Sequence, residues 1–391
     1  MKRLGCFLVV LMAVTPAWAA RKVTVAQLED LLHSLKQANK TDADVAFELK
    51  QIELTEELTR NRMNGLVGFV SGPLSTEQIY ILEARSAILI PPVDDLPSTP
   101  APDAATQKAI LDKAIGYAEK TYAQLPPLTA TKTTVRFQDN LKAAASSSGM
   151  HSGATESSQT DPNLVTANLF VRYINSAETP VTLLNGAEQN PLARDKTQWG
   201  ANGQIALLGQ ALTVSTVLHE AAAAGKITWL RWEDINGKPA AVFQFSVDKK
   251  NTRYAVSYCC FPDVDQAGVL RYSPLSPASG PTAHGNFQTA TSWKGFKATV
   301  PYHGEIFVDS DTGIVVRMIT QADFKSSDVV HQEDQRFDYA PVTVGASELV
   351  VPVRSVVLTE VVPNGDSGLA GPVSMRHTFF TSEYKNYQLG N

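Results

Sequence analysis

From Ile227 onward a series of segments alternates apolar and polar residues with a period of two, broken by a long loop rich in Gly, Pro and Ser from Pro262 to Lys297, and this pattern restricts the fold more than any other feature. The segments ITWLRWEDI, AAVFQFSV, TRYAVSYCC, YHGEIFV, GIVVRMITQAD, VHQEDQRFDYA, LVVPVRSVVLTEVV and SMRHTFFTSEY follow one another. The turn signals NGK, DKKN, DSDTG and VGAS separate most of them. Upstream, TKTTVRF, ANLFVRYI and TPVTLL read the same way. Phe243, Phe245 and Val247 share a face, as do Tyr254, Val256, Tyr258 and Cys260. About ten antiparallel strands do not stay flat, so the sheet is expected to curl into one continuous half-barrel. One helical interlude, QIALLGQALTVSTVLHEAAAAGK, interrupts the series, and helices are expected to cover the concave side. The expected class is α+β: a helical N-terminal region, then a large curved antiparallel sheet with an inserted helix.

The segment 20–90 reads as helical. TVAQLEDLLHSLK opens with a capping box, Thr24 with Gln27, and sets Leu28, Leu31, Leu32 and Leu35 on one face. TDADVAFELKQIEL and TEELTRNRM each begin at a threonine able to cap, and STEQIYILEARSAIL repeats the device with Ser75 and Gln78. Such short amphipathic helices must pack on one another or on the domain downstream. The proline-dense stretch 91–103 reads as a stiff, extended linker. Asp103 then caps a longer helix, and residues 104–391 form the sheet domain, with a serine-rich insert at 142–163.

The first residues carry an address. Lys2 and Arg3 precede an apolar run from Leu4 to Val14, and Ala17-Trp18-Ala19 is an A-x-A site, so a signal peptide spanning 1–19 is cleaved between Ala19 and Ala20. The run is too short to span a bilayer, and no later stretch has the length for it. Periplasmic or secreted localisation is the expectation, with no transmembrane segment after processing. Losing Lys2 and Arg3 takes the formal charge from −5 to −7, which argues against nucleic acid as a partner. The mature chain keeps two adjacent cysteines, Cys259 and Cys260. Export favours pairing, whereas neighbouring Cα atoms sit closer than an ordinary disulfide requires. A strained vicinal bridge, two separate thiols and intermolecular pairing all remain open.

Several segments imitate catalytic motifs. Gly365-Asp366-Ser367-Gly368 resembles the nucleophile loop of chymotrypsin-like serine proteases, with Thr282-Ala283-His284 as its histidine motif. Leu369 stands where that family has glycine, and only 24 residues follow Ser367, too few to wall a specificity pocket. A hairpin loop explains the run better, and hydrolysis at Ser367 is the remote alternative. Asp311-Thr312-Gly313 looks like an aspartic-protease triplet but occurs once and sits at a turn. His303 with Glu305, and His331 with Glu333, are lone pairs where a metal site needs three or four ligands. No nucleotide loop occurs, so neither catalytic residues nor a cofactor or metal site are expected.

One stretch carries a family resemblance. ATVPYHGEIFVDSDTGIVVRMITQAD, residues 298–323, is similar to a hairpin of periplasmic lipoprotein carriers and outer-membrane lipoprotein-sorting proteins. That resemblance implies a half-barrel holding a lipid or lipoprotein. The chain as a whole resembles uncharacterised exported bacterial proteins with a helical N-terminal region. The expected function is non-enzymatic: binding of an acyl chain, a lipoprotein or an envelope protein partner on the half-barrel. Trp229, Phe243, Phe245, Tyr254 and Tyr258 are the candidate ligand-lining residues. The alternative is an envelope interaction or sensory module acting through its N-terminal helices.

Overall fold

The computed structural model describes residues 20–70, 72–138, 171–189, 207–209, 212–258, 296–361 and 376–390. Residues 1–19, read as a signal peptide, the serine-rich stretch 142–163, Cys259, Cys260, His284 and Ser367 lie outside the described residues. What is described is α+β, with a large curved antiparallel sheet that does not close.

The N-terminal region contains β1 (Arg21–Val23), α1 (Val25–Gln37), α2 (Asp42–Lys50), β2 (Ile52–Leu54), α3 (Arg60–Val67) and α4 (Pro73–Ser86). They enclose one apolar core that includes Leu28, Leu32, Leu49, Ile52, Leu58 and Ile79. The Thr24 capping box forms, with Gln27 N donating to Thr24 Oγ1 at 3.2 Å and Thr24 N to Gln27 Oε1 at 3.0 Å. Three boundaries differ from the sequence reading. Ile52–Leu54 is a strand, paired in parallel with β1, because Ile52 and Leu54 alternate into the core instead of continuing the helical period. Helix α3 is capped by Thr59, four residues beyond the Thr55 expected to start it. Ser75 does not cap α4: Pro73, already set for helical φ, opens the helix two residues earlier. Asp42 of α2 accepts from Leu74 N at 3.0 Å and Ser75 N at 2.9 Å, so the cap comes from a neighbouring helix.

The chain then passes through 91–103 to α5 (Ala104–Lys120), whose first turn Asp103 caps. The connection is tied down, since Arg62 holds Asp95 through two 2.6 Å bonds and Trp232 Nε1 donates to Pro100 O at 3.0 Å.

The sheet strands are β3 (Leu128–Gln138), β4 (Arg172–Leu184), β5 (Ala187–Gln189), β6 (Leu207–Gly209), β7 (Ile227–Ile235) and β8 (Lys238–Val247), with α6 (Val214–Ala224) between β6 and β7. They continue as β9 (Ala255–Tyr258), β10 (Phe296–Thr299), β11 (Tyr302–Asp309), β12 (Val315–Ala322), β13 (Val330–Val344), β14 (Ser347–Val361) and β15 (Arg376–Leu389). Ten form one antiparallel sheet in the order β5-β4-β3-β15-β14-β13-β12-β11-β8-β7. The surface is not continuous along the chain: β10-β9-β6 form a separate three-stranded sheet. Both edges of β8 are taken by β7 and β11, which leaves β9 no place beside it. The expected interlude helix is shorter as well, because Leu207–Gly209 joins β9 and the helix starts only after Thr213 caps it. Arg172, Tyr173 and Ile174, from the end of ANLFVRYI, and TPVTLL, read as two strands, share the single strand β4 with Pro180 inside it.

Cross-strand partners share a face. On the core face, Phe243 pairs with Ile306 and Ile306 with Met318, and α5 and α6 close over them with Ile110, Ala114, Val217 and Leu218. The opposite face is covered too: α4 packs there against Phe137, Val356, Leu358 and Phe379, as expected of a short helix that must pack on the domain downstream. That face carries apolar rows of its own, which need cover from water.

Candidate functional site

Between α3 and α4 on one side, and β15, β3 and β4 on the other, runs an open cleft of about 720 Å³. Its sheet wall follows from strand alternation: Thr133, Val135 and Phe137 recur every second residue of β3 and so face the same way. Tyr173 of β4 pairs with Phe137, and their rings meet edge to face at 6.3 Å. Its helical wall comes from Met63 of α3 and from Glu77 and Tyr80 of α4. Ile79 and Leu82 bury the apolar stripe of α4, which turns Tyr80 outward beside the cleft. Tyr80 and Tyr173 stay 45% and 46% exposed, unusual for large rings beside a closed core.

Charges rim this aromatic strip. Arg60 donates to Glu383 at 3.1 Å and Lys385 lies 2.9 Å from the same carboxylate. The hydrogen bond from Lys385 holds the Glu383 carboxyl below its ordinary range against partial burial, with Arg60 adding to it. Glu77 Oε1 accepts from the Tyr173 backbone N–H at 2.8 Å, so α4 reaches the outer strand directly.

A buried ion lattice sets the walls of the cleft. Arg354 of β14 donates to Glu83 of α4, and Arg336 of β13 to Glu57 and, at 2.8 Å, to Ala87 O. Arg336 also reaches Asp338 at 3.2 Å, and Arg317 reaches Asp338 at 2.7 Å and Glu233 at 3.1 Å. Arg231 completes the row with Glu233 at 2.7 Å and Glu305 at 2.8 Å. Burial alone would raise the Asp338 carboxyl, yet Arg336, Arg317 and Arg354 together hold it well below the usual carboxylate range. Buried charges survive only in pairs. The helical region and the sheet therefore share one interface.

The residues expected to line a ligand pocket lie elsewhere. Phe243, Phe245 and Tyr254 are buried in the closed core beneath α5 and α6, and Trp229 packs at its edge. Trp229 meets Phe243 at 5.6 Å, and Phe245 meets Tyr302 at 5.8 Å. None of them lines the cleft, because the two core helices fill the space the rings face. Tyr258 ends β9, its backbone paired with Phe296 and Leu207. Tyr254 has a polar role the sequence did not show: its hydroxyl donates to Glu333, which also receives Gln335 Nε2 at 2.6 Å. Burial pushes the Glu333 carboxyl up to about 7, against those two hydrogen bonds. Beside them Tyr302 donates to Glu220 at 2.9 Å.

Asp311-Thr312-Gly313 is a turn: Asp309 Oδ1 accepts from Asp311 N at 2.9 Å and Thr312 N at 3.0 Å, and Gly313 takes a φ of 80°. His303 pairs with Asp323 at 2.8 Å and not with Glu305, which Arg231 engages. Among the described residues no group of three or more His, Cys, Asp or Glu is placed to hold a metal ion. No described helix is long and apolar enough to cross a membrane. The cleft residues Tyr80, Phe137 and Tyr173 were not singled out from the sequence. The one available signal was Tyr80, an aromatic beside the apolar stripe of an amphipathic helix. No protein-family model matches the chain, and comparison with curated proteins and with solved structures finds no match either.

Proposed function

We propose that this chain is a non-enzymatic, exported binding protein of the cell envelope, and that its ligand lies in the cleft between α3, α4 and the sheet. The observation that carries this reading is the open volume of about 720 Å³ with Tyr80 and Tyr173 exposed along it. Clefts that join apolar and aromatic lining with a few placed polar groups are the usual binding sites of folded domains. Arg60 and Lys385 both engage Glu383, so the charges on this rim are already partnered within the protein. The cleft is amphipathic, so its ligand has apolar groups beside polar ones, as a lipoprotein or protein segment does. The half-barrel reading and the N-terminal helix reading meet here, since each supplies one wall. Val135→Trp places a bulky ring on the sheet wall of the cleft. Native mass spectrometry of protein purified from the envelope fraction should show a bound mass that Val135→Trp loses. An adduct unchanged in that variant, or none at all in the parent protein, rejects the reading.

A further inference from the structure

We propose, resting on the cleft reading above, that the occupant is an extended polypeptide segment that adds a strand to the free side of β4. Strand β5 covers only Thr182–Leu184 of β4, so among the described residues the stretch from Tyr173 to Val181 has β3 on one side and no strand on the other. The direction of the amides follows from the hairpin. Leu184 and Ala187 flank a two-residue turn in which Asn185 and Gly186 both take positive φ, 51° and 75°. In such a turn the flanking residues exchange both hydrogen bonds, so Leu184, and every second residue before it, directs its amide away from β3.

Pro180 falls on that outward row, the only place in a strand where its missing N–H costs no ladder bond. Glu178 and Ser176 come next and are exposed. Past a register shift, the outward N–H of Tyr173 is already satisfied by Glu77 from α4. The open edge is thus bounded by Pro180 at one end and by Glu77 at the other. Ser176 and Glu178 pair with Val135 and Thr133, so their side chains stand on the face that lines the cleft.

A row of main-chain donors and acceptors is complementary to one chemistry above others, that of another peptide backbone. A strand laid along β4 would turn alternate side chains toward Phe137, Tyr80 and Tyr173, which supply the apolar contacts. An acyl chain or a glycan would use the aromatic strip and leave the amides of Ser176 and Glu178 unanswered.

The test uses the full mature chain and a displayed library of random linear peptides. Peptides selected on the parent protein are measured by fluorescence anisotropy against Val135→Trp, Ser176→Pro and Lys108→Ala. Val135→Trp and Ser176→Pro should each weaken binding by about tenfold or more, the first by occupying the site and the second by removing one main-chain donor. Lys108→Ala, on the exposed face of α5 outside the cleft, should change it little. Should Ser176→Pro fold poorly, the same peptides N-methylated at alternate residues are tested on the parent protein, where one of the two methylation phases should abolish binding. Peptides that lose affinity for Val135→Trp yet tolerate Ser176→Pro and both methylation phases overturn strand addition and leave the cleft reading standing. Enrichment of no peptide, while the native mass adduct persists, overturns it equally. Loss of both signals removes the cleft reading as well.

Discussion

Glu57, between β2 and α3, places its carboxylate against the guanidinium of Arg336 in β13, a contact made 279 positions apart in the chain and nearly closed to water. Removal of one member strands the other in a poorly solvated site. Glu57→Ala should therefore lower unfolding stability by about 3 kcal/mol, moderated because Asp338 still faces Arg336. Urea denaturation followed by circular dichroism measures this. A loss below about 0.5 kcal/mol would mean that the interface is wet. The same lattice complicates any truncation of residues 20–92, because Arg336 and Arg354 would lose Glu57 and Glu83 together.

Glu333 gives stability a dependence on pH. Its carboxyl is pushed from 4.5 up to about 7 by burial, so the folded state holds the proton more tightly than the unfolded chain does. A raised carboxyl pKa contributes stability that is complete below the unfolded value and is lost as pH rises through the folded one. Asp334, raised to about 6 mainly by burial, acts in the same direction. Glu333→Gln keeps the shape and cannot ionise. Its stability relative to the parent protein should improve between about pH 5 and pH 8, by up to about 3 kcal/mol. Denaturant midpoints across that range decide it, and a difference that does not vary with pH would contradict the assignment.

Gly304 of β11 has no room for a side chain. A Cβ there would lie 2.0 Å from Ile319 O and 3.1 Å from the Phe245 ring. Gly304→Ala should cost at least about 2 kcal/mol, since the obstacle is backbone and not a flexible side-chain tip. Thermal unfolding of the variant provides the measurement, and a melting temperature equal to that of the parent protein would refute the packing described.

On the proposed reading of residues 1–19 as an export signal, cleavage should leave Ala20 as the first residue of the mature chain. Intact-mass measurement of the envelope fraction checks this directly. Replacement of the small residue at the site, Ala19→Arg, should accumulate the precursor, and an unprocessed parent protein would show that the segment anchors the chain instead.

Local patterns in the chain were legible wherever neighbours in sequence are also neighbours in space. Thr24 with Gln27 forms the expected box, Asp103 caps α5, and Asp309 to Gly313 makes the expected turn. The period of two announced β7, β8 and β11 to β15 because alternation is a property of each strand taken alone. The start of α4 was misread because its cap, Asp42, arrives from another helix.

Composition and periodicity by themselves determined that this chain is α+β, with helices first and a broad antiparallel sheet after them. They also placed Asp311-Thr312-Gly313 at a turn, which the structure shows. Strand order, the split of β6, β9 and β10 into their own sheet, and the choice of face for each helix were decided only by the fold. Those choices rest on contacts between residues distant in the chain, such as Glu57 with Arg336 and Glu83 with Arg354, whose energies depend on mutual burial. A cleft is the space left between two packed layers, and no single segment contains it. For that reason Tyr80 and Tyr173, ordinary in sequence, become conspicuous only when α4 and β4 are brought together.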